Sequence, residues 1–233
     1  MNKFKSIAID GPAGAGKSDV SDILAEKLGF VHVDTGALYR AVGLYFLENN
    51  LDYKDQQVIC KNLNKILINL KFENNLQNIY LNNNNITDKI RTQKISSIAS
   101  LISAFSCVRD FLLEIQRNIA KFNNVIMDGR DIATVVLPNA NIKIFLTASV
   151  EERAKRRFKQ LKSKINKNNI NINYNEVLNL IKNRDNNDYN RKIAPLKPSK
   201  DSFIYDTTDK NINEVVDFLF NYIQNNLKFK KII

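Results

Sequence analysis

Residues 11–18 read Gly-Pro-Ala-Gly-Ala-Gly-Lys-Ser, a G-x-x-x-x-G-K-S run whose chemistry is that of a phosphate cradle. Glycine at 11, 14 and 16 permits positive φ and lets backbone N–H groups approach an anion closely. A helix opening near Lys17 adds unpaired N–H donors and the positive end of its dipole. Lys17 is suited to reach the β- and γ-phosphates of a nucleoside triphosphate, and the Ser18 hydroxyl to hold Mg²⁺. Pro12, Ala13 and Ala15 complete the candidate nucleotide-binding loop. Asp19 follows in the first helical turn, where the dipole favours its carboxylate but a bound polyphosphate would repel it. The competing reading is a Gly-rich turn that matches by chance. The context opposes it, because Ile7-Ala8-Ile9 precede the loop as an apolar strand, while Val20, Ile23, Leu24 and Leu28 follow it at helical spacing.

Two further polar clusters lie where strands should end. Asp34-Thr35-Gly36-Ala37-Leu38-Tyr39-Arg40 follows the apolar run Phe30–Val33, and Asp128-Gly129-Arg130-Asp131 follows Val125-Ile126-Met127. Open parallel sheets bind ligands at the carboxyl ends of their strands, so both clusters should face the crevice that holds the phosphate loop. Arg153 and Arg157 lie four apart on one helical face with Arg156 beside them, where a solvated basic face competes with a ligand-facing one. Arg184, Asp188 and Arg191 follow in a second basic helix, before a loop marked by Pro195 and Pro198.

These residues need a frame. A helix to about Leu28 stops at Gly29, and Leu44 to Ile68 reads helical. The period then falls to two at Ile68, Leu70, Phe72, Ile79 and Leu81, with turns at 73–75 and 82–85, which predicts a small antiparallel meander foreign to a parallel core. Helical patterns span Ile90 to Ala120. Ile142–Leu146 and Phe203–Thr208 read as strands, Ser149 and Glu152 as a capping box, and Ile212–Leu227 as a closing amphipathic helix. The expected fold class is α/β: a parallel sheet of about five strands with helices on both faces and an inserted antiparallel unit. The Lys- and Asn-rich stretch from Lys162 to Asn175 reads as mobile.

At 233 residues, with 44% hydrophobic and 25% charged residues, the chain suits one globular domain with insertions. It holds no run approaching the roughly 20 apolar residues of a membrane span, and the basic start leads directly into strand and loop, so a cytoplasmic protein without a membrane partner is expected. Cys60 and Cys107 lie far apart in helical contexts, which favours buried free thiols over a disulfide. The single histidine, His32, reads as a core or rim residue and leaves no zinc constellation. The net charge of +11 could attract nucleic acid, but Lys, Asn and Ile are abundant throughout and the arginines fall in motifs suited to small phosphate ligands, so no nucleic-acid partner is expected.

From Ile7 to Thr208 the chain resembles the bacterial cytidylate kinases, nucleoside monophosphate kinases of the phosphate-loop class. The resemblance runs through IDGPAGAGKS, DTGALYR, IRTQKIS, SLISAFSCVR, DGRD with TVV and P, KIFLTAS-EERAKRR and RDNNDYNRKIAPL. It implies a P-loop kinase fold in a single domain: a core at 1–40, 120–150 and 200–233, a monophosphate-binding insertion at about 41–119, and a lid at about 153–180. It implies transfer from ATP, with Mg²⁺, to CMP or dCMP held by Thr35, Arg40, Ser100, Arg109, Arg130, Asp131, Arg184 and Asp188. Ser100 and Arg109 would contact cytosine, Arg184 and Asp188 the pentose, and Arg40, Arg130 and Arg191 phosphate. Arg153 and Arg157 would close over the triphosphate, and with Lys17, Arg130 and Arg191 they form the candidate catalytic set of a monomer. The chain departs from the family's usual pattern at Ala133, Leu137 and Asp19. Another small-molecule kinase, acting on UMP, AMP or shikimate, or a non-catalytic ATP-binding module, are the alternatives.

Overall fold

The computed structural model describes residues 3–73, 76–165 and 173–227. At its centre lies β1 (Ser6–Asp10), whose residues 7–10 are buried. It pairs in parallel with β6 (Val125–Gly129) on one side and β7 (Ile142–Thr147) on the other. β2 (Val31–Asp34) and β8 (Phe203–Asp206) complete the sheet in the order β2-β6-β1-β7-β8. Alternate residues serve opposite faces. Ile7, Ile9, Ile126 and Ile144 pack with α1 (Lys17–Leu28) and α8 (Ile212–Asn226), while Ala8, Val33, Val125 and Met127 pack toward α5 (Ser106–Phe122). Burial on both faces explains why these strands read as continuous apolar runs.

Between β2 and β6 the chain builds a unit with its own core. α2 (Thr35–Glu48), α3 (Gln56–Asn62), β3 (Ile68–Glu73), β4 (Leu76–Leu81), β5 (Asn84–Asn85) and α4 (Gln93–Ile102) enclose Leu38, Phe46, Ile59, Ile79 and Ile102 together with Leu112 of α5. β3, β4 and β5 form the expected antiparallel meander. The expected turn at 73–75 falls partly on 74–75, outside the described residues. The helix expected from Leu44 to Ile68 is divided: α2 ends at Glu48, Asn50 takes a left-handed φ of 51°, and Asp55 caps α3. An asparagine tolerates that conformation and ends the helical run.

α6 (Val150–Ile165) and α7 (Tyr174–Asn190) pack against each other over Ala154, Val177 and Ile181. Of the stretch read as mobile, 162–165 and 174–175 are helix, and 166–172 lie outside the described residues. The capping box at the start of α6 is half formed. Ser149 Oγ accepts from Glu152 N, but the Glu152 carboxylate pairs with Arg156 instead.

The cysteines overturn their expectation. Cys60 of α3 and Cys107 of α5 form a disulfide, with Cα atoms 5.7 Å apart. Helix packing, invisible in a spacing of 47 residues, brings them together. Closing a loop of that length restricts the unfolded chain. Reduction, or Cys60→Ser with Cys107→Ser, should lower stability by about 2–4 kcal/mol, read as a fall in the urea midpoint of the oxidised protein; coincident unfolding curves would show the bond contributes nothing.

Candidate functional site

The carboxyl ends of β1, β2 and β6 open onto one cleft of about 600 Å³, between the insertion and the α6–α7 pair. The phosphate loop forms one wall. Gly11 has φ +150°, and a Cβ there would sit 2.0 Å from the carbonyl oxygen of Leu146, so only glycine lets the loop lie on β7. Gly16 takes φ 85° at the start of α1, leaving the first N–H groups of that helix free of a side-chain cap. Lys17 is buried and donates to Pro12 O at 2.8 Å. Burial, with repulsion from Arg130 adding to it, brings its ammonium down to about 7.

Asp10 anchors the loop's base. Its carboxylate accepts from Ile132 N and Ala133 N at 2.8 and 2.7 Å, fastening β1 to the π-helical turn Ile132–Val136, while burial pushes its carboxyl up to about 7. Asp128, at the end of β6, accepts from Ser18 Oγ at 3.0 Å and from His32 Nε2 at 2.8 Å. The other ring nitrogen of His32 lies 3.1 Å from Asp22. Burial would lower the His32 pKa, but its bonds to Asp128 and Asp22 prevail and raise it to about 10. His32 is thus neither a plain core residue nor a rim residue; it is clamped between two carboxylates. Ser18 and Asp128 supply a hydroxyl and a carboxylate oxygen, the hard donors that suit a magnesium ion held partly by phosphate and water.

The far wall carries the other predicted residues. Arg109 is buried; it donates to Ser103 O at 3.0 Å, pairs with Asp131 and faces the Tyr39 ring at 5.7 Å. Ser100 lines the cleft beside it. Arg130 donates to Asp188 at 2.9 Å, and Arg191 lies 3.6 Å from Asp131 and 3.9 Å from Asp188. Burial favours the neutral form of Asp188, yet Arg130 and Arg184 hold its carboxyl below the usual range. Arg40 donates to Asp34 at 2.6 Å, and Thr35 donates to Asp128 O at 2.8 Å. Nε of Arg40, Nε of Arg184 and Nη2 of Arg191 are buried without a hydrogen-bond partner in the protein. Burial, with repulsion from Arg130, brings Arg184 down to about 10. Arginines gathered around one cleft, with guanidinium nitrogens left without a hydrogen-bond partner, make a site for a multiply charged anion.

Asp19 is exposed on the cleft's rim, in the first turn of α1. The two arginines of α6 part company. Arg157 is half-buried on the cleft, bonded to Gln160 and reaching Gln93 of α4 at 3.4 Å. Arg153 is buried and engaged by protein groups: it donates to Ala148 O and Ala13 O at 2.9 and 3.1 Å and pairs with Asp185 at 2.7 Å. Arg153 therefore fastens the phosphate loop to α6 and α7. Asp10, Asp34, Tyr39, Asp128, Arg156 and His32 were not singled out as site residues by sequence. Of these, Asp34 and Asp128 carried a signal, since each is an acidic residue at the carboxyl end of a strand.

Arg153→Met should leave Asp185, whose Oδ1 already lacks a partner, as an uncompensated buried charge. The expected loss is about 3–5 kcal/mol in urea unfolding, whereas Arg157→Ala should stay within about 0.5 kcal/mol of the parent. Equal midpoints for the two variants would refute the division of labour.

The cytidylate kinase family profile matches residues 7–225. A cytidylate kinase from Caldicellulosiruptor bescii is 48% identical over 211 residues, covering 91% of this chain and 92% of that protein. One from Leuconostoc mesenteroides is 43% identical over 229 residues, covering 98% and 100%. Among solved structures, an uncharacterised protein from Eubacterium ventriosum shares the fold at 13% identity, with a TM-score of 0.52 over 94% of this chain and 98% of that one. With the profile spanning nearly its whole length, and relatives this similar end to end, the chain belongs to the cytidylate kinase family.

Proposed function

We propose that the protein transfers the γ-phosphoryl group of ATP to CMP and dCMP, forming ADP with CDP or dCDP. The observation that carries this reading is the one cleft that joins a phosphate loop at one wall to a serine, an arginine and a carboxylate at the other, with Arg40, Arg130, Arg184 and Arg191 lining it as well. Cytosine offers an amino donor at N4 and acceptors at N3 and O2. Asp131 suits the donor, and Arg109 and Ser100 suit the acceptors. Thr35 and Arg40 belong to the acceptor's monophosphate end, with Arg130 and Arg191. Arg184 and Asp188 would hold the sugar.

The reaction needs no protein nucleophile. An acceptor phosphate oxygen attacks the γ-phosphorus, and the bond to the β–γ bridging oxygen breaks. Catalysis is then positioning plus offsetting of charge on the transferring group. Lys17 and the loop N–H groups of residues 11–18 bind the donor phosphates. Arg130, Arg157 and Arg191 face the oxygens that gain charge, and Arg153 holds the loop's shape. Ser18 and Asp128 would hold Mg²⁺, which when bound offsets charge on the donor phosphates. We take the chain as one kinase domain, with an acceptor-binding insertion at about 41–119 and a lid at about 153–180, acting as a cytoplasmic monomer without nucleic-acid or membrane partners. Among the described residues no helix is long and apolar enough to cross a membrane.

A coupled assay of ATP with CMP, dCMP, UMP and AMP tests the reading. CMP and dCMP should be turned over in preference to UMP and AMP, and equal use of AMP would overturn it. For the sugar assignment, Asp188→Ala removes a buried charged hydrogen-bond partner. It should lower kcat/KM for CMP and dCMP about tenfold to a hundredfold, with KM for ATP within about threefold. Unchanged acceptor kinetics in a folded variant would sink the assignment.

A further inference from the structure

Phosphoryl transfer gives His32 no task, yet it is the chain's only histidine and its side chain is 9% exposed between two carboxylates. An ionised carboxylate only accepts hydrogen bonds, so a ring with a carboxylate at each nitrogen donates at both. The inner carboxylate is Asp128, whose second oxygen accepts from Ser18 Oγ. The outer one is Asp22, on the solvent-facing side of α1, with a side chain 54% exposed. The four side chains form one line from surface to phosphate loop: Asp22, His32, Asp128, Ser18.

We propose that His32 is a positioning residue for the magnesium–nucleotide site: its bond to one oxygen of Asp128 turns the other toward Ser18, and its bond to Asp22 fixes the ring. The inference rests on reading the cleft as a nucleotide site. The energetic reason is rotational. A carboxylate bonded through only one oxygen can swing about its Cβ–Cγ bond, whereas Asp128 bonded through both presents its free lone pairs in one direction. Asp22 does the same for the imidazole, which is then held at both ring nitrogens. No part of this requires His32 to touch nucleotide or metal.

The test is ADP binding to the full chain by calorimetry, once with Mg²⁺ and once with EDTA, so that a metal-specific effect separates from a general one. His32→Leu should bind ADP in EDTA within about twofold of the parent while losing about tenfold or more of affinity with Mg²⁺, the scale of outer-shell changes at metal sites. KM for CMP should stay within the same twofold. His32→Gln keeps one N–H for Asp128 and should recover part of the loss. Asp22→Ala, remote from the loop, should show a smaller loss, again only with Mg²⁺. An equal loss with and without metal, or none, would overturn the proposal. If His32→Leu does not fold, parent-like Mg²⁺ dependence in both His32→Gln and Asp22→Ala would overturn it. A parent protein whose ADP affinity ignores Mg²⁺ would instead overturn the nucleotide-site reading, and this inference with it.

Discussion

The constraint on which this molecule depends is the crowding of positive charge. Lys17 and Arg40, Arg109, Arg130, Arg184 and Arg191 line one cleft. Unit charges about 5 Å apart at an effective dielectric near 20 repel by roughly 3 kcal/mol, and these groups are partly removed from water. The fold answers with carboxylates set among the cations: Asp34 against Arg40, Asp131 against Arg109, and Asp188 against Arg130. Each carboxylate occupies part of a guanidinium, and buried nitrogens of Arg40, Arg184 and Arg191 keep no hydrogen-bond partner in the protein. The donors are thus oriented before any substrate arrives, which is what makes such electrostatic stabilisation effective in a transition state.

Holding so many charges in place requires a rigid floor, and the parallel sheet provides it. Three of its strands end in site carboxylates: Asp10 on β1, Asp34 on β2, and Asp128 just before the end of β6. In the register of the sheet Asp34 lies beside Asp128, and Asp10 beside Gly129. Because β1 and β6 are buried throughout residues 7–10 and 125–129, these termini cannot shift without disturbing packing on both faces. Asp10 then carries that rigidity into the next segment through its two bonds to the π-helical turn, fixing Arg130 and Asp131 between two anchored points.

The remaining walls are mounted more loosely. The insertion reaches the site through α2, α4 and the start of α5, and Gln77 of its meander bonds the backbone of Asp34 through both of its polar atoms. α6 and α7 share a small apolar cluster and the Arg153–Asp185 pair, and are tied to the phosphate loop by Arg153 and to the β8 end by Arg156. A firm floor with separately cored walls is an arrangement in which walls can close over two nucleotides while the phosphate loop keeps its shape.

Local chemistry sufficed for much of this. The phosphate loop, the buried strands, the Gly29 stop with φ 66°, the antiparallel meander and the closing helix could all be read from spacing, because glycine conformation, burial period and capping act over a few residues. The gathering of Arg40, Arg109, Arg130, Arg184 and Arg191 was legible only through motifs that resemble a family, since no periodicity links positions more than a hundred residues apart. Tertiary structure decided what local pattern does not encode: which helices touch, and which partner a side chain finds. It joined Cys60 to Cys107 across α3 and α5, split Arg153 from Arg157 although both lie on α6, and set His32 between Asp22 and Asp128. The physical reason is the same in each case, for these pairings depend on strand order and helix packing, and those are set by burial over the whole chain.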